Sequence, residues 1–232
     1  MKTARIPDID LARYALLPSN EKRRALEKLK PFKPRYDYRP LRATVAAILN
    51  IDGGPLEILP RVPWGAIEIA ISGKSRNEEE RAANVSVAKI LYDFADAAKL
   101  TGHRQEIPRL GIGGVHLANY WEQGLVSFNG QNILPFIDPR KGAARLSGDS
   151  RLFVFSVMQQ RQLTAGVDLA SAQSCIIQID RGKDGQKVVE VHAPKVEKLI
   201  GFKEITAQVK RENACFSKFL KVPNFFTSKD FF

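Results

Sequence analysis

Hydrophobic and polar positions along the chain fall into stretches of two different periods. "PLEILP" (55–60) and "AIEIAI" (66–71) alternate residue by residue, which predicts two half-buried strands with Glu57 and Glu68 on their outer phase. "SRNEEERAANVSVAKILYDFADAAKL" (75–100) carries two apolar stripes at helical spacing, Ala82, Val85, Ala88, Leu91, Tyr92, Ala95 and Ala83, Val87, Ile90, Phe94. It predicts a largely buried helix, opened by Ser75 with Glu78 three residues on as a capping box. "HLANYWEQGLVSFNG" and "QNILPFIDPRKG" predict a β-hairpin turning at Asn129-Gly130, a dipeptide that accepts positive φ at both turn positions. A helix over 149–164, a buried strand over 172–182, a further strand in "KVVEVHA" and a helix over most of 195–220 follow. "LRATVAAILNI" (41–51) is compatible with helix or strand. Near the N-terminus, "SNEKRRALEKLK" (19–30) predicts a short basic helix ended by Pro31. Between 75 and 180 the order is helix, strands, hairpin, helix, strand, which predicts an α/β (α+β) fold with one central mixed sheet flanked by helices.

Composition narrows the class without naming it. The 232 residues are 44% hydrophobic and 26% charged, ordinary values for a folded soluble chain. No apolar run approaches the roughly 18 residues that a membrane-spanning helix needs. The first residues lack the continuous apolar segment of a secretory signal. Cys175 and Cys215 make neither a disulfide framework nor a zinc site, so a reducing, cytoplasmic setting is expected.

Charge changes the picture more. The chain carries net +11, distributed as +6 over 1–40, +1 over 41–192 and +4 over 193–232. That layout suggests a core domain at 41–192 between a basic N-terminal extension (1–40) and a basic helical C-terminal extension (193–232). Such ends suit a polyanion, because each phosphate neutralised releases counterions. Arg23, Arg24, Lys33, Arg35, Tyr36 and Arg39 would be the nucleic-acid contacts, with the tyrosine stacking on bases. A plain linker over 31–40 and a basic surface for a protein partner explain the same residues. The last segment, 221–232, holds four phenylalanines in a polar stretch too short to form a core, so it is expected to dock on this chain or on a partner.

The stretch "SFNGQNILPFIDPRKG" (127–142) adds candidate chemistry. A strand ends on Asp138, with Arg140 and Lys141 beside it. Together with Ser75-Arg76-Asn77-Glu78 opening a helix and "YWEQGLVSFNGQNILPFIDPRK" (120–141) as the hairpin, the order resembles the PD-(D/E)XK restriction-endonuclease-like superfamily. The nearest likeness is to transposon-encoded end-cleaving endonucleases of the TnsA kind. The resemblance covers 75–180, roughly half the chain. It implies a Mg²⁺- or Mn²⁺-dependent DNA endonuclease of a mobile element or defence system. Glu78, Glu122 and Asp138 would be the metal ligands, with Arg140 and Lys141 as catalytic cations. Two or three oxygens must converge on the ion, and a cation must face the attacking water or the developing phosphorane charge. This sequence departs from the pattern in two places: Glu122 stands where the family has Asp, and Glu-x-Lys reads Asp138-Pro139-Arg140 with Lys141 one place on. Arginine stays charged and cannot act as a base, so Arg140 replaces a catalytic lysine only in part.

Each residue also has a structural reading. Glu78 closes a helix cap, Glu122 is a solvated strand residue, and Asp138 begins a turn or binds Arg140. The alternative function is a non-catalytic nucleic-acid-binding or assembly subunit. His103, His116 and His192 lack ligand spacing. No phosphate-binding glycine loop and no nucleophile elbow occurs.

Overall fold

The computed structural model describes residues 8–28, 37–52, 60–106, 109–113, 116–118, 120, 124–165, 169, 171–182 and 184–219. A six-stranded mixed sheet forms the middle layer. Its strands are β1 (Ile51–Asp52), β2 (Thr101–Arg104), β5 (Gly124–Phe128), β6 (Gln131–Asp138), β7 (Gln173–Arg181) and β8 (Lys187–His192), paired in that order. β3 (Leu110–Ile112) and β4 (His116–Ala118) make a separate two-stranded ribbon. β1 with β2 and β6 with β7 are parallel, and the other pairs of the main sheet are antiparallel.

Side-chain alternation along the central strands builds two cores. Leu134, Phe136 and Ile176 face one side, where they meet α1 (Asp8–Tyr14), α7 (Gly148–Ala165) and α8 (Phe202–Phe219). Ile133, Ile137, Cys175, Ile177 and Ile179 face the other. There they meet α3 (Arg39–Arg42), α4 (Val45–Ile48), α5 (Trp64–Lys74) and α6 (Glu78–Ala97). A strand buried on both faces reads as a continuous apolar run, which is why "CIIQI" lacks clean alternation. Burial pushes the Cys175 thiol up to about 12, so it is protonated and inert.

Pro135 lies in the middle of β6, where a missing N–H would normally cost a ladder bond. The register removes the conflict: β5 pairs with β6 only as far as Ile133, and from there to Asp138 the partner is β7. The hairpin turn is as its sequence predicts, with Asn129 and Gly130 both at positive φ (50° and 74°). The helix predicted over 149–164 and the strand over 172–182 form as α7 and β7. Residues 41–51 resolve into two short helices and a two-residue strand.

Both ends of the described chain join the core. Leu11 and Ala12 from the N-terminal helix, Ala15 just after it, and Ile205 and Val209 from α8 are fully or almost fully buried in one cluster with the sheet. α2 (Ser19–Lys28) packs on α8.

Three elements differ from expectation. "AIEIAI" is not a strand but the body of α5. Its isoleucines recur every second residue, yet Ile67 and Ile71 are also one helical turn apart. The helix buries those two against α3 and α6 and turns Ile69 outward. "HLANYWEQGLVSF" is broken into β4 and β5, on different sheets. The cap of α6 is shifted by two residues: Asn77, not Ser75, is the N-cap, accepting from the Glu80 N–H at 2.8 Å. Ser75 instead donates its hydroxyl to the Ile71 carbonyl and closes α5. α6 is buried along one face, through Asn84, Val87, Ala88, Leu91 and Ala95, and not over most of its circumference. "PLEILP" with Glu57 lies outside the described residues, apart from Pro60.

Glu80 then works as a clamp. Its carboxylate accepts from the N–H groups of Arg76 (2.7 Å) and Asp37 (3.0 Å) and from the Arg76 guanidinium (2.6 Å). One turn on, Asn84 accepts from the Leu41 N–H and donates to the Asp37 carbonyl. The segment entering α3 is thereby fastened to α6. The Arg76 guanidinium, outweighing burial, holds the Glu80 carboxyl down at about 2. A folded-state value below the unfolded one contributes stability above about pH 4.5 that is lost as pH falls toward 2. Glu80→Gln should lower stability at neutral pH and flatten the loss between pH 4.5 and 2, read by chemical denaturation at several pH values.

Candidate functional site

Asp138 ends β6 with no exposed surface. Its neighbour Ile137 faces the α6 side of the sheet, so the pleat turns Asp138 toward α7. Its Oδ1 accepts from Arg140 Nε at 2.8 Å. Its Oδ2 accepts from the Leu146 N–H at 2.8 Å and from Gln178 Nε2 at 2.9 Å. Gln178 donates also to the Leu146 carbonyl and accepts from Arg151 at 3.0 Å. The carboxylate is a structural anion that fixes the end of β6, the loop to α7 and the adjacent β7.

The other proposed ligands do not join it. Glu78 opens α6, which covers the opposite face of the sheet, and its carboxylate is 73% exposed. Arg81 binds it through two hydrogen bonds of 2.8 and 2.6 Å and holds its carboxyl below the ordinary range. Glu122 lies outside the described residues. Glu78 and Asp138 therefore do not fit a shared Mg²⁺ or Mn²⁺, since each is already engaged by protein donors on a different side of the sheet. Among the described residues no group of three or more His, Cys, Asp or Glu is placed to hold a metal ion.

The proposed catalytic cations separate too. Arg140 is spent on Asp138, while Lys141 is exposed. Partial desolvation and the charges of Lys187 and Arg181 lower the Lys141 ammonium from its ordinary value. Of the proposed nucleic-acid contacts, Arg24 is exposed on α2 and Arg39 is paired with Asp37 at 2.7 Å. Arg23 is in α2, and Lys33, Arg35 and Tyr36 lie outside the described residues.

The surface feature that stands out is apolar and was hidden by the strand reading of α5. Ile69 is 74% exposed and Val62, just before the helix, is 40% exposed. Ala66 and Gly73 are exposed as well. Ala66, Ile69 and Gly73 recur at i, i+3 and i+7 on α5, with Ser72 beside them, while Val62 precedes the Pro63 N-cap. Burying an isoleucine is worth roughly 1.5–3 kcal/mol, and single exposed apolar residues are common.

The entrance to this helix is fastened to α6. The Arg61 guanidinium lies 3.9 Å from the Tyr92 ring centroid, donates to the Tyr92 carbonyl at 2.7 Å and pairs with Asp96. Tyr92 donates its hydroxyl to the Val62 carbonyl at 3.2 Å. The Trp64 ring packs on Tyr92 with centroids 5.6 Å apart. The helix-period signal that would have exposed this face is the Ile67–Ile71 pair following Pro63, a residue suited to a helix start.

This is a three-layer α/β protein with a structural buried acid and an exposed isoleucine on α5. The profile of the family described as "Sliding clamp-binding bacterial toxin SocB" matches residues 9–219, and the chain belongs to that family. The DNA replication inhibitor toxin SocB of Caulobacter vibrioides (strain NA1000 / CB15N) is 30% identical over 213 residues, which covers 91% of this chain and 88% of that protein. No solved structure gives a significant match. The resemblance to PD-(D/E)XK endonucleases is corrected by this finding, because a clamp-binding toxin family accounts for nearly the whole chain. The nuclease, magnesium and hydrolase readings fall with it. The alternative of a nucleic-acid-binding or assembly subunit gains no support from the family either. Among the described residues no helix is long and apolar enough to cross a membrane.

Truncating Asp138 would leave the Arg140 charge and the Leu146 N–H without their acceptor and Gln178 with the Leu146 carbonyl alone. Asp138→Ala is expected to cost about 3–5 kcal/mol of stability, the scale for breaking a buried ion pair from one side. Thermal denaturation followed by circular dichroism checks this, and a variant as stable as the wild type would refute the structural role.

Proposed function

We propose that this chain binds a bacterial sliding clamp and thereby inhibits DNA replication. The observation that carries the reading is the family match over 9–219, supported by a replication-inhibitor toxin 30% identical over 213 residues. Inhibition by occupancy needs no reacting group. It needs a folded body that seats on the clamp and holds a surface replication proteins require. The geometry is consistent with that mode: the acid nominated for chemistry is committed to the fold.

The contact is assigned to the folded body. The family match ends at 219, before the phenylalanines of 221–232 that were expected to dock on a partner. The purified chain should capture a bacterial sliding clamp in a biolayer binding assay. Capture should persist after nuclease treatment, which separates a protein contact from bridging by DNA drawn to a net charge of +11. Induced expression should stop incorporation of labelled thymidine. Deleting 221–232 should leave capture intact, and its loss on deletion would move the contact to the tail. A folded, monodisperse wild-type chain that captures no clamp would overturn the proposal.

A further inference from the structure

We infer that the outer edge of β8, with the cations Lys141, Arg181 and Lys187 at its start, takes an extended acidic segment of a protein partner as an added strand. The inference goes beyond the clamp reading and does not depend on it.

β8 ends the main sheet, and among the described residues no strand pairs with its outer side. It is six residues long, whereas β1 at the opposite edge has two, the short form that discourages pairing. The Gly182 N–H donates to the Gln186 carbonyl at 2.7 Å, and bonds along an antiparallel pair alternate. Followed through the register from Arg181↔Lys187 to Ile176↔His192, that alternation bonds Val188, Glu190 and His192 to β7. The backbone groups of Lys187, Val189 and Val191 therefore point away from the sheet, as a row of donors and acceptors spaced for another strand.

Three cations crowd the start of this edge. Arg181 and Lys187 are exposed and stand directly opposite each other on β7 and β8. Like charges so placed destabilise a sheet. Lys141, from the loop after β6, adds a third; burial first, and then the charges of Lys187 and Arg181, lower its ammonium from the ordinary value. Among the described residues no carboxylate pairs with any of the three. Asp180 and Glu190, on the same two strands, are turned to Arg145, and Asp184 accepts from the Gln186 N–H at 3.0 Å. Lys187 donates to the Ser86 hydroxyl of α6 at 2.7 Å, which holds the ammonium in place without neutralising it.

One lysine is enough to deter an edge from pairing with its like. Two further cations that repel it weaken the fold and are useful only toward an anion. An acidic segment laid along β8 would fill the free backbone groups and remove that repulsion with its carboxylates. The same segment would cover Val188, which is 41% exposed on the other face of the strand. In strand addition the main chain supplies affinity and the side chains supply specificity. A nucleic acid would meet the cations but cannot continue the ladder, so a polypeptide is favoured.

The test titrates the full chain into a fluorescein-labelled peptide of alternating glutamate and valine, followed by anisotropy. The wild type should bind it. Arg181→Glu and Lys141→Glu should each weaken binding by about tenfold or more. Backbone N-methylation of the peptide's valines, which removes donors without changing charge, should weaken it as much. Arg181→Glu also replaces a like-charged cross-strand pair with an opposite one, so its melting temperature should not fall. No binding by the folded wild type, equal binding of the N-methylated peptide, or wild-type affinity in both variants would overturn the inference. So would a labelled DNA duplex that binds more tightly than the peptide and depends equally on Arg181, because the cations would then serve phosphates.

Discussion

The sheet's carboxyl end depends on one buried acid. Asp138 is held by a guanidinium two residues on, a backbone amide eight residues on and a side-chain amide forty residues on. Taking a carboxylate out of water is costly, and only donors on both oxygens offset it. That requirement sets the position of the loop from Arg140 to Leu146, and through it the start of α7. The pairing of β6 with β7 follows, since Gln178 must lie directly across from Asp138 to reach it. The other face of the sheet has its own version in Glu80 and Asn84, which fasten the segment before α3. Polar groups thus define the geometry of two apolar cores that packing alone would leave free to slide.

Much of the fold was legible because local and global preferences agree. Asn129-Gly130 has the chemistry of its turn, β7 has the unbroken apolar run of a strand covered on both sides, and α7 has the length and ends of a helix. The errors have a common cause. Ile67, Ile69 and Ile71 satisfy a two-residue period, while two of the three also satisfy a helical one. Nothing inside the hexapeptide separates the two, and only the packing of α5 on α3 and α6 decides. The same limit applies to the cap of α6, where Ser75 and Asn77 each have a glutamate three residues on. Asn77 prevails because its partner Glu80 finds Arg76 and Asp37 as well.

The site was less legible than the fold. An acid followed by cations at a strand end has the same sequence signature whether it holds a metal or holds its own loop. Burial distinguishes them, and burial is a property of the finished structure. The exposed isoleucine of α5 was hidden for a related reason, since an apolar residue facing solvent looks, in sequence, like any other core residue.

The cluster that takes in Leu11 and Ala12 from the first helix also takes in Ile205 and Val209 from the last. During synthesis the leading helix therefore emerges long before the residues that cover it exist. Part of its cover comes from α7, and the rest only when translation has run through α8. A message cut short before that point yields a polypeptide whose α1 and α7 layer lacks the cover of Ile205 and Val209. Complete closure of that layer is therefore possible only in copies whose translation reached the final helix.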